Sequence, residues 1–533
     1  MLVLFGAAGC ARPWHLNVRV PPGTVVPERP AILLFVDGLD RYVYEDMLAR
    51  GELPAIERYI VRRGTTVEQA FSCLPSITYA NTVSFLTGLY PGHHGIVGNE
   101  WFERRTLTFR TYNTIGDYRR VNDDFSARTI YEVLPDRLTV NLQSATRRGV
   151  KITMDNWAES GVCWFFGWFK WADGLIARNF ERFDEIARRH GRWPDFVHAY
   201  FPGLDAEGHR SGSDSAAYRE GLRNIDEQIH KICDALGRLG LLDRTYLILA
   251  VDHGHAPAPR SHYLDVAAWL RKHRGWRVYD APPDGAGAVR GRGFERYAVV
   301  AVNGGSRRYE LHLRGAEGWS MRPGFDRCRE VLAGGERPLA LERPVLVGAC
   351  RRGADEVWVY GRSGEAVVCR RVHDRREEYR YDLKVGDPLG YTSEPGLSEF
   401  VAAGWHSSRE WLAATAGARC PDTVAQIVSY FDSPRAADVV LFADEGWDFS
   451  RNAFGGHGSI LRHDMWVPMA FVGPGIAAGG RLGVARNADI APTIVELIAG
   501  PDRLAELGTI DGVSLVPQLL GAAPGGAAIA RVP

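Results

Sequence analysis

Cysteine is scarce in this chain: eight among 533 residues, with no CxxC pair. That density excludes a disulfide-scaffolded fold and leaves no zinc-finger or thioredoxin-type signature. Net charge is missing too. Lys+Arg and Asp+Glu both total 64, so no overall basic field exists to condense the chain onto a nucleic-acid polymer or an anionic membrane. No run of 18 apolar residues is present to span a bilayer. Repeats and low-complexity tracts are absent as well. What remains is ordinary globular material, 45% hydrophobic and 24% charged, sufficient for a large core.

The first nine residues, MLVLFGAAG, are apolar and end in small residues before Cys10. They resemble the end of a bacterial lipoprotein signal peptide, whose cysteine becomes the lipidated first residue. The expectation is an exported protein, periplasmic or membrane-anchored, with a lipid anchor at Cys10. The alternative is a short buried strand in a cytoplasmic protein.

From Pro30 the pattern alternates between strand and helix. AILLFV (31–36) is a continuous apolar run, as in a strand buried on both faces of a parallel sheet. Similar runs lie at 196–201, 246–251, 438–442 and 467–472. Leu222, Ile225, Ile229, Ile232 and Leu236 recur at helical spacing. Ile490, Ile494, Leu497 and Ile498 repeat that pattern, with Asp489 and Pro492 suited to a helix start. The prediction is an α/β fold with a mostly parallel central sheet and helices on both faces. Length alone predicts three to four domains at about 150 residues each, but the rhythm breaks only once, over 261–429. The division expected is an N-terminal segment 1–29, a core made of 30–260 and 430–533, and an inserted α+β cap at 261–429.

Acids and imidazoles fall at the strand ends. Asp37 follows AILLFV, Asp252 and His253 follow YLILAV, and Asp205 and His209 lie just beyond FVHAYFP. Ligands of open α/β sheets bind outside the carboxyl ends of strands. His457, in FGGHGS, is placed to join them. A lone Asp after a strand is usually a turn former or helix cap, so it is the set that points to chemistry. Three carboxylates and three imidazoles suit two divalent ions, zinc or manganese, with positions open for substrate. Paired ions are a common device for displacement at phosphorus.

The segment 73–91, CLPSITYANTVSFLTGLYP, adds a hydroxyl. Thr78 precedes a helix expected over 79–87 that stops at Gly88, and at the start of such a helix the free N–H groups and the dipole favour an anion. Asn81, close to one turn on, is expected to aim its amide at the same anion.

Together these motifs resemble the nucleotide pyrophosphatase/phosphodiesterase branch of the alkaline phosphatase superfamily. The family order is an early Asp, a nucleophile segment ending in TGxYPxxHG, a DxxxH pair, DHG and a late HG. Here these are Asp37, Thr78 with TGLYPGHHG, Asp205–His209, Asp252-His253-Gly254 and His457-Gly458. The resemblance implies an alkaline phosphatase-like fold and hydrolysis of phosphodiester or pyrophosphate bonds through a phospho-threonine intermediate. It implies one ion on Asp37, Asp252, His253 and Thr78, and a second on Asp205, His209 and His457. Asn81 and the Tyr79 N–H would steady the phosphoryl oxygens. Ala80 and Thr82 stand where the diesterase motif has Pro and His.

A sulfatase reading is disfavoured, because Cys73-Leu74-Pro75-Ser76 is followed by Ile77 rather than Arg. Nine residues before Thr87, where a sulfatase carries its nucleophile, stands Thr78. A phosphomonoesterase or phosphonoacetate-type hydrolase on the same fold, and a non-catalytic metal-containing surface lipoprotein, are the alternatives. The substrate expected is a small phosphate ester, a nucleotide or a lipid head group. Trp164, Phe165, Phe166, Trp168, Phe169 and Trp171, with Lys170 among them, either stack a base or hold a quaternary ammonium, or fill the core beneath a lid. His93 and His94 are expected to be structural.

Overall fold

The computed structural model describes residues 15–521 apart from 115, 282–288 and 452. Cys10 and the lipoprotein-like stretch lie outside the described residues. No helix among them is long and apolar enough to cross a membrane.

Strand β1 (Ala31–Val36) sits inside a nine-stranded sheet with all six residues buried. Helix α1 is Thr78–Thr87, strand β2 Phe196–Phe201, helix α2 Gly203–Ser211, helix α3 Ala216–Arg238 and strand β3 Tyr246–Val251. β1 lies parallel between β2 and β3, with Val36 opposite both Phe201 and Val251. The three strands therefore end level, and the residues after them share one edge. Two more parallel strands, Thr139–Leu142 and Ile152–Met154, extend the β2 side. At about 1.5–3 kcal/mol for each large apolar side chain, burial of β1 alone contributes about 10 kcal/mol.

The other flank departs from the expected pattern. The apolar run at 467–472 is not one parallel strand. It splits into Trp466–Val467 and Ala470–Val472, which pair antiparallel with Thr65–Phe71 and, for the second, with β3. The run at 438–442 is a second correction. Val439–Ala443 belongs to another nine-stranded sheet, between Arg308–Leu313 and Val345–Gly353 and antiparallel to both. That sheet runs from Val278–Asp280 to Val439–Ala443 in sequence, so it crosses the boundary drawn at 429. The strand is fully buried, and a buried antiparallel strand reads in sequence like a parallel one. Helix α3 is as its periodicity predicts, with Leu222, Ile225, Ile229, Ile232 and Leu236 buried and Ser215 capping its start.

Candidate active site

The level ends of β1, β2 and β3 set the carboxylates side by side. Asp37 leaves β1 directly, and the turn after it is tight enough that Gly38 adopts φ +63°. A Cβ on Gly38 would lie 2.7 Å from Asp205 Cβ and Oδ1, so only glycine lets α2 approach this closely. The Gly38 N–H donates to Asp252 Oδ1 at 3.0 Å. Asp205 and His209, four apart on α2, share one helix face, with Nε2 of the histidine 3.5 Å from Asp205 Oδ1.

At the end of β3, His253 donates its Nδ1 proton to Gly254 O at 2.9 Å. In the neutral ring Nε2 is then a bare lone pair. It faces Asp252 Oδ2 at 3.1 Å and Asp37 Oδ1 at 3.5 Å. Thr78 Oγ1 stands 3.1 Å from the same nitrogen and 3.5 Å from Asp37 Oδ1. Asp252 and His253 are fully buried, whereas Thr78 is half-buried at the opening. Burial, followed by the charges of Asp252 and Asp205, drives the Asp37 carboxyl well above the usual carboxylate range. Burial also raises Asp205 and Asp252, against the pull of His209 and His253 respectively. Burial lowers His253 and His457, which favours neutral rings.

His457 arrives by a route the sequence did not reveal. It does not extend a strand of the central sheet. It is delivered by the second sheet, where its N–H donates to Gly305 O at 2.8 Å and its carbonyl accepts from Arg307 N at 3.1 Å. Gly305, at φ +61°, makes room for its ring. His457 Nδ1 donates to Ser76 O at 2.9 Å, leaving Nε2 3.8 Å from Asp205 Oδ1.

Asn81 is corrected. Its side chain is fully buried and clamps the loop before the helix. Oδ1 accepts from Cys73 N at 2.7 Å and from Asn487 Nδ2 at 3.1 Å, while Nδ2 donates to the carbonyls of Cys73, Pro75 and Ile77. No donor is left for an anion. The Tyr79 N–H is likewise engaged, by Asn99 Oδ1 at 3.0 Å. Asn99 and His255 are the site residues that sequence reasoning missed. Asn99 gave no signal, lying 20 residues from Tyr79. His255 did give one, since alternate residues of an extended segment share a face with His253.

Carboxylate oxygens of Asp37 and Asp252 converge with the Nε2 lone pair of His253. Asp252 Oδ2 and Asp205 Oδ1 are buried without a hydrogen-bond partner among the described residues. Asp37, Asp252 and His253 place one ligand atom each within 4.8 Å of the others, as do Asp205, His253 and His457, and Asp205, His209 and His255. Oxygen and imidazole nitrogen in this mixture fit borderline divalent ions.

The model of the type I phosphodiesterase / nucleotide pyrophosphatase family matches residues 31–317, more than half of the chain. The chain belongs to that family. It is 27% identical over 257 residues to an uncharacterized pyrophosphatase/phosphodiesterase of Schizosaccharomyces pombe, covering 46% of this chain and 48% of that protein. It is 26% identical over 244 residues to the bis(5'-adenosyl)-triphosphatase enpp4 of Xenopus laevis, covering 44% and 49%. The chain thus spans about half the length of these curated relatives. Its fold is similar to that of murine ectonucleotide pyrophosphatase/phosphodiesterase 5, with TM-score 0.55, 16% identity, and 88% and 94% of the two chains covered. An inactive threonine-to-alanine variant of that mouse protein, in complex with AMP, superposes with TM-score 0.54, at 15% identity and 88% and 95% coverage.

Of the aromatic segment, Phe165, Phe166, Trp168 and Trp171 stand exposed, and Phe166 stacks on Trp168 at 4.9 Å. They do not fill a core. The Trp164 side chain lies outside the described residues. Arg210, next to His209, lies over the Phe169 ring at 5.6 Å, and Asp173 accepts from the Gly203 N–H at the start of α2. The helix Phe169–Phe180, which carries Trp171, therefore abuts the helix that carries Asp205 and His209. His93 bridges Asp511 and Asp432, and His94 is buried against Ser84 and Ala80 O, consistent with structural roles.

Proposed function

We propose that the chain is a two-metal hydrolase of phosphodiester or pyrophosphate bonds, with Thr78 as nucleophile. The observation that carries the reading is the Thr78 hydroxyl, half-exposed at a helix start and 3.1 Å from the bare Nε2 of His253. A purely structural metal position has no need of such a hydroxyl. The relatives' names and the loss of activity in the mouse threonine variant support the same reading.

Asp37, Asp252 and His253 would hold one ion, and Asp205, His209 and His457 the other, zinc being the better fit and manganese the next. When bound, the ions supply Lewis-acid charge and lower the pKa of the Thr78 hydroxyl. Thr78 Oγ attacks phosphorus; the Oγ–P bond forms as the P–O bond to the leaving group breaks. The leaving oxygen departs with the electron pair and takes a proton. Water then displaces Thr78 from phosphorus, and Oγ recovers its proton. Asn99 has its Oδ1 engaged by Tyr79, which leaves Nδ2 to donate to a phosphoryl oxygen. The exposed Phe165, Phe166 and Trp168 offer stacking faces for a nucleobase.

The test is a panel of bis(p-nitrophenyl) phosphate, p-nitrophenyl phosphate and phosphonoacetate with the zinc-loaded chain. Preference for the diester is expected. Preference for the monoester or for phosphonoacetate replaces the diesterase reading, and turnover of none, with ions bound, rejects catalysis.

A further inference from the structure

His255 is a fourth imidazole at the site with no role in the scheme of two trios. Its ring is fully buried, and neither Nδ1 nor Nε2 has a hydrogen-bond partner among the described residues. Leaving a buried polar ring unpaired is costly, and such groups in folded proteins normally have a partner. The fold makes deliberate room for it. A Cβ on Gly208 would lie 2.7 Å from both Cδ2 and Nε2 of His255. Gly208 sits between Asp205 and His209, so the imidazole rests on the very turn of α2 that presents those two ligands. The His209 and His255 rings meet edge to face with centroids 4.9 Å apart.

The backbone that carries the ring is also anchored. Ser213 Oγ donates to His255 O at 2.7 Å, and Ala256–Pro257 pairs with Gly455–Gly456, immediately before His457. The same short ladder thus fixes His255 and His457 on two sides of Asp205. A ring nitrogen of His255, a ring nitrogen of His209 and a carboxylate oxygen of Asp205 lie within 4.8 Å of one another. Ligands of one zinc ion, each about 2.0–2.1 Å from it, need only modest inward movement from such a spread.

We propose that His255 is a protein ligand of the ion held by Asp205 and His209, so that this position offers three imidazoles and one carboxylate. The inference rests on the two-ion reading. It makes the two positions chemically unequal, one rich in carboxylate (Asp37 and Asp252) and one rich in nitrogen. The nitrogen-rich position then selects zinc or cobalt over magnesium and calcium.

The test is titration of the chelator-stripped full-length chain with Co2+, read by visible absorption and by calorimetry. The wild type is expected to bind two equivalents. His255→Gln should weaken one of them by about 10- to 100-fold and change the spectrum of that equivalent, leaving the other unchanged. Asp252→Asn should weaken the opposite equivalent. Unaltered affinity and spectrum in His255→Gln would overturn the proposal, whereas a wild type that binds fewer than two ions would instead overturn the two-ion reading. A crystal structure of the zinc-loaded wild type needs no substitution. An anomalous peak at coordination distance from a His255 ring nitrogen supports the assignment, and a peak with that nitrogen beyond reach rejects it.

Discussion

His253 and His457 lie face to face, with ring centroids 3.4 Å apart and planes 6° from parallel. His253 follows β3 of the central sheet, whereas His457 is held against the Gly305–Arg307 turn of the second sheet. Each donates its Nδ1 proton outward, to Gly254 O and Ser76 O, and each turns Nε2 toward the carboxylates. Each ring belongs to a different proposed trio, so the stacked pair is the seam between the two ion positions. The second sheet is therefore part of the site and not merely a cover over it.

That seam depends on Asp205, which both His209 and His457 face. Asp205→Asn is expected to lower bound metal from two ions per chain to one and turnover by at least about 100-fold. Metal analysis of the dialysed variant, beside its kinetics, checks this; full metal content would show that Asp205 is not a ligand.

Gly38 tests how the strand ends are packed. A methyl group at 38 meets Asp205 and must also accept φ +63°. Gly38→Ala should destabilise the fold by roughly 2–4 kcal/mol and weaken metal binding with it. Denaturant unfolding with and without zinc reads both effects. A variant as stable and as metal-competent as the wild type would contradict the close approach of α2.

Asn81 and Asn99 should separate cleanly. Asn81→Ala removes the clamp on residues 73–77 and is expected to cost roughly 2–4 kcal/mol of stability. Asn99→Ala leaves only the half-buried Tyr79 N–H without its acceptor, so it should cost about 1 kcal/mol while lowering kcat by about 10²–10³-fold. The reverse pattern would return the anion-facing role to Asn81.

His93 carries a prediction about pH. Burial opposes its charge, but the hydrogen bonds it donates to Asp432 and Asp511 prevail and raise it to about 10. A folded-state value above the unfolded one means the contribution is complete below about pH 6.5 and lost as pH rises through about 10. Solvent access screens the bridge, so about 1–2 kcal/mol is expected. His93→Gln should therefore lower Tm at pH 6 and converge on the wild type near pH 10; a constant gap would count against a charged bridge.

Much of this was legible in the sequence because β1 and β3 are uninterrupted apolar runs whose last residue announces the sheet edge. Asp37, Asp252 and His253 could be read straight from that edge, and Asp205 and His209 from their spacing on one helix face. Side-chain direction was not legible. Asn81 looks free at a helix start and is consumed by a loop whose path depends on five preceding residues. Nor does a buried strand such as Val439–Ala443 record which sheet it joins, since burial on both faces erases the alternation that would tell. Asn99 was hidden by distance along the chain. His255 was visible only as the second member of an alternating pair.

The two-ion site proposed above requires Thr78 as nucleophile. Rapid acid quenching of the zinc-loaded wild type with a diester substrate, followed by peptide mass spectrometry, tests it most directly. A phosphoryl adduct is expected on the peptide bearing Thr78, and Thr78→Ala should keep its metal while losing the adduct and turnover together. Turnover persisting in Thr78→Ala, or an adduct on another residue, would contradict it.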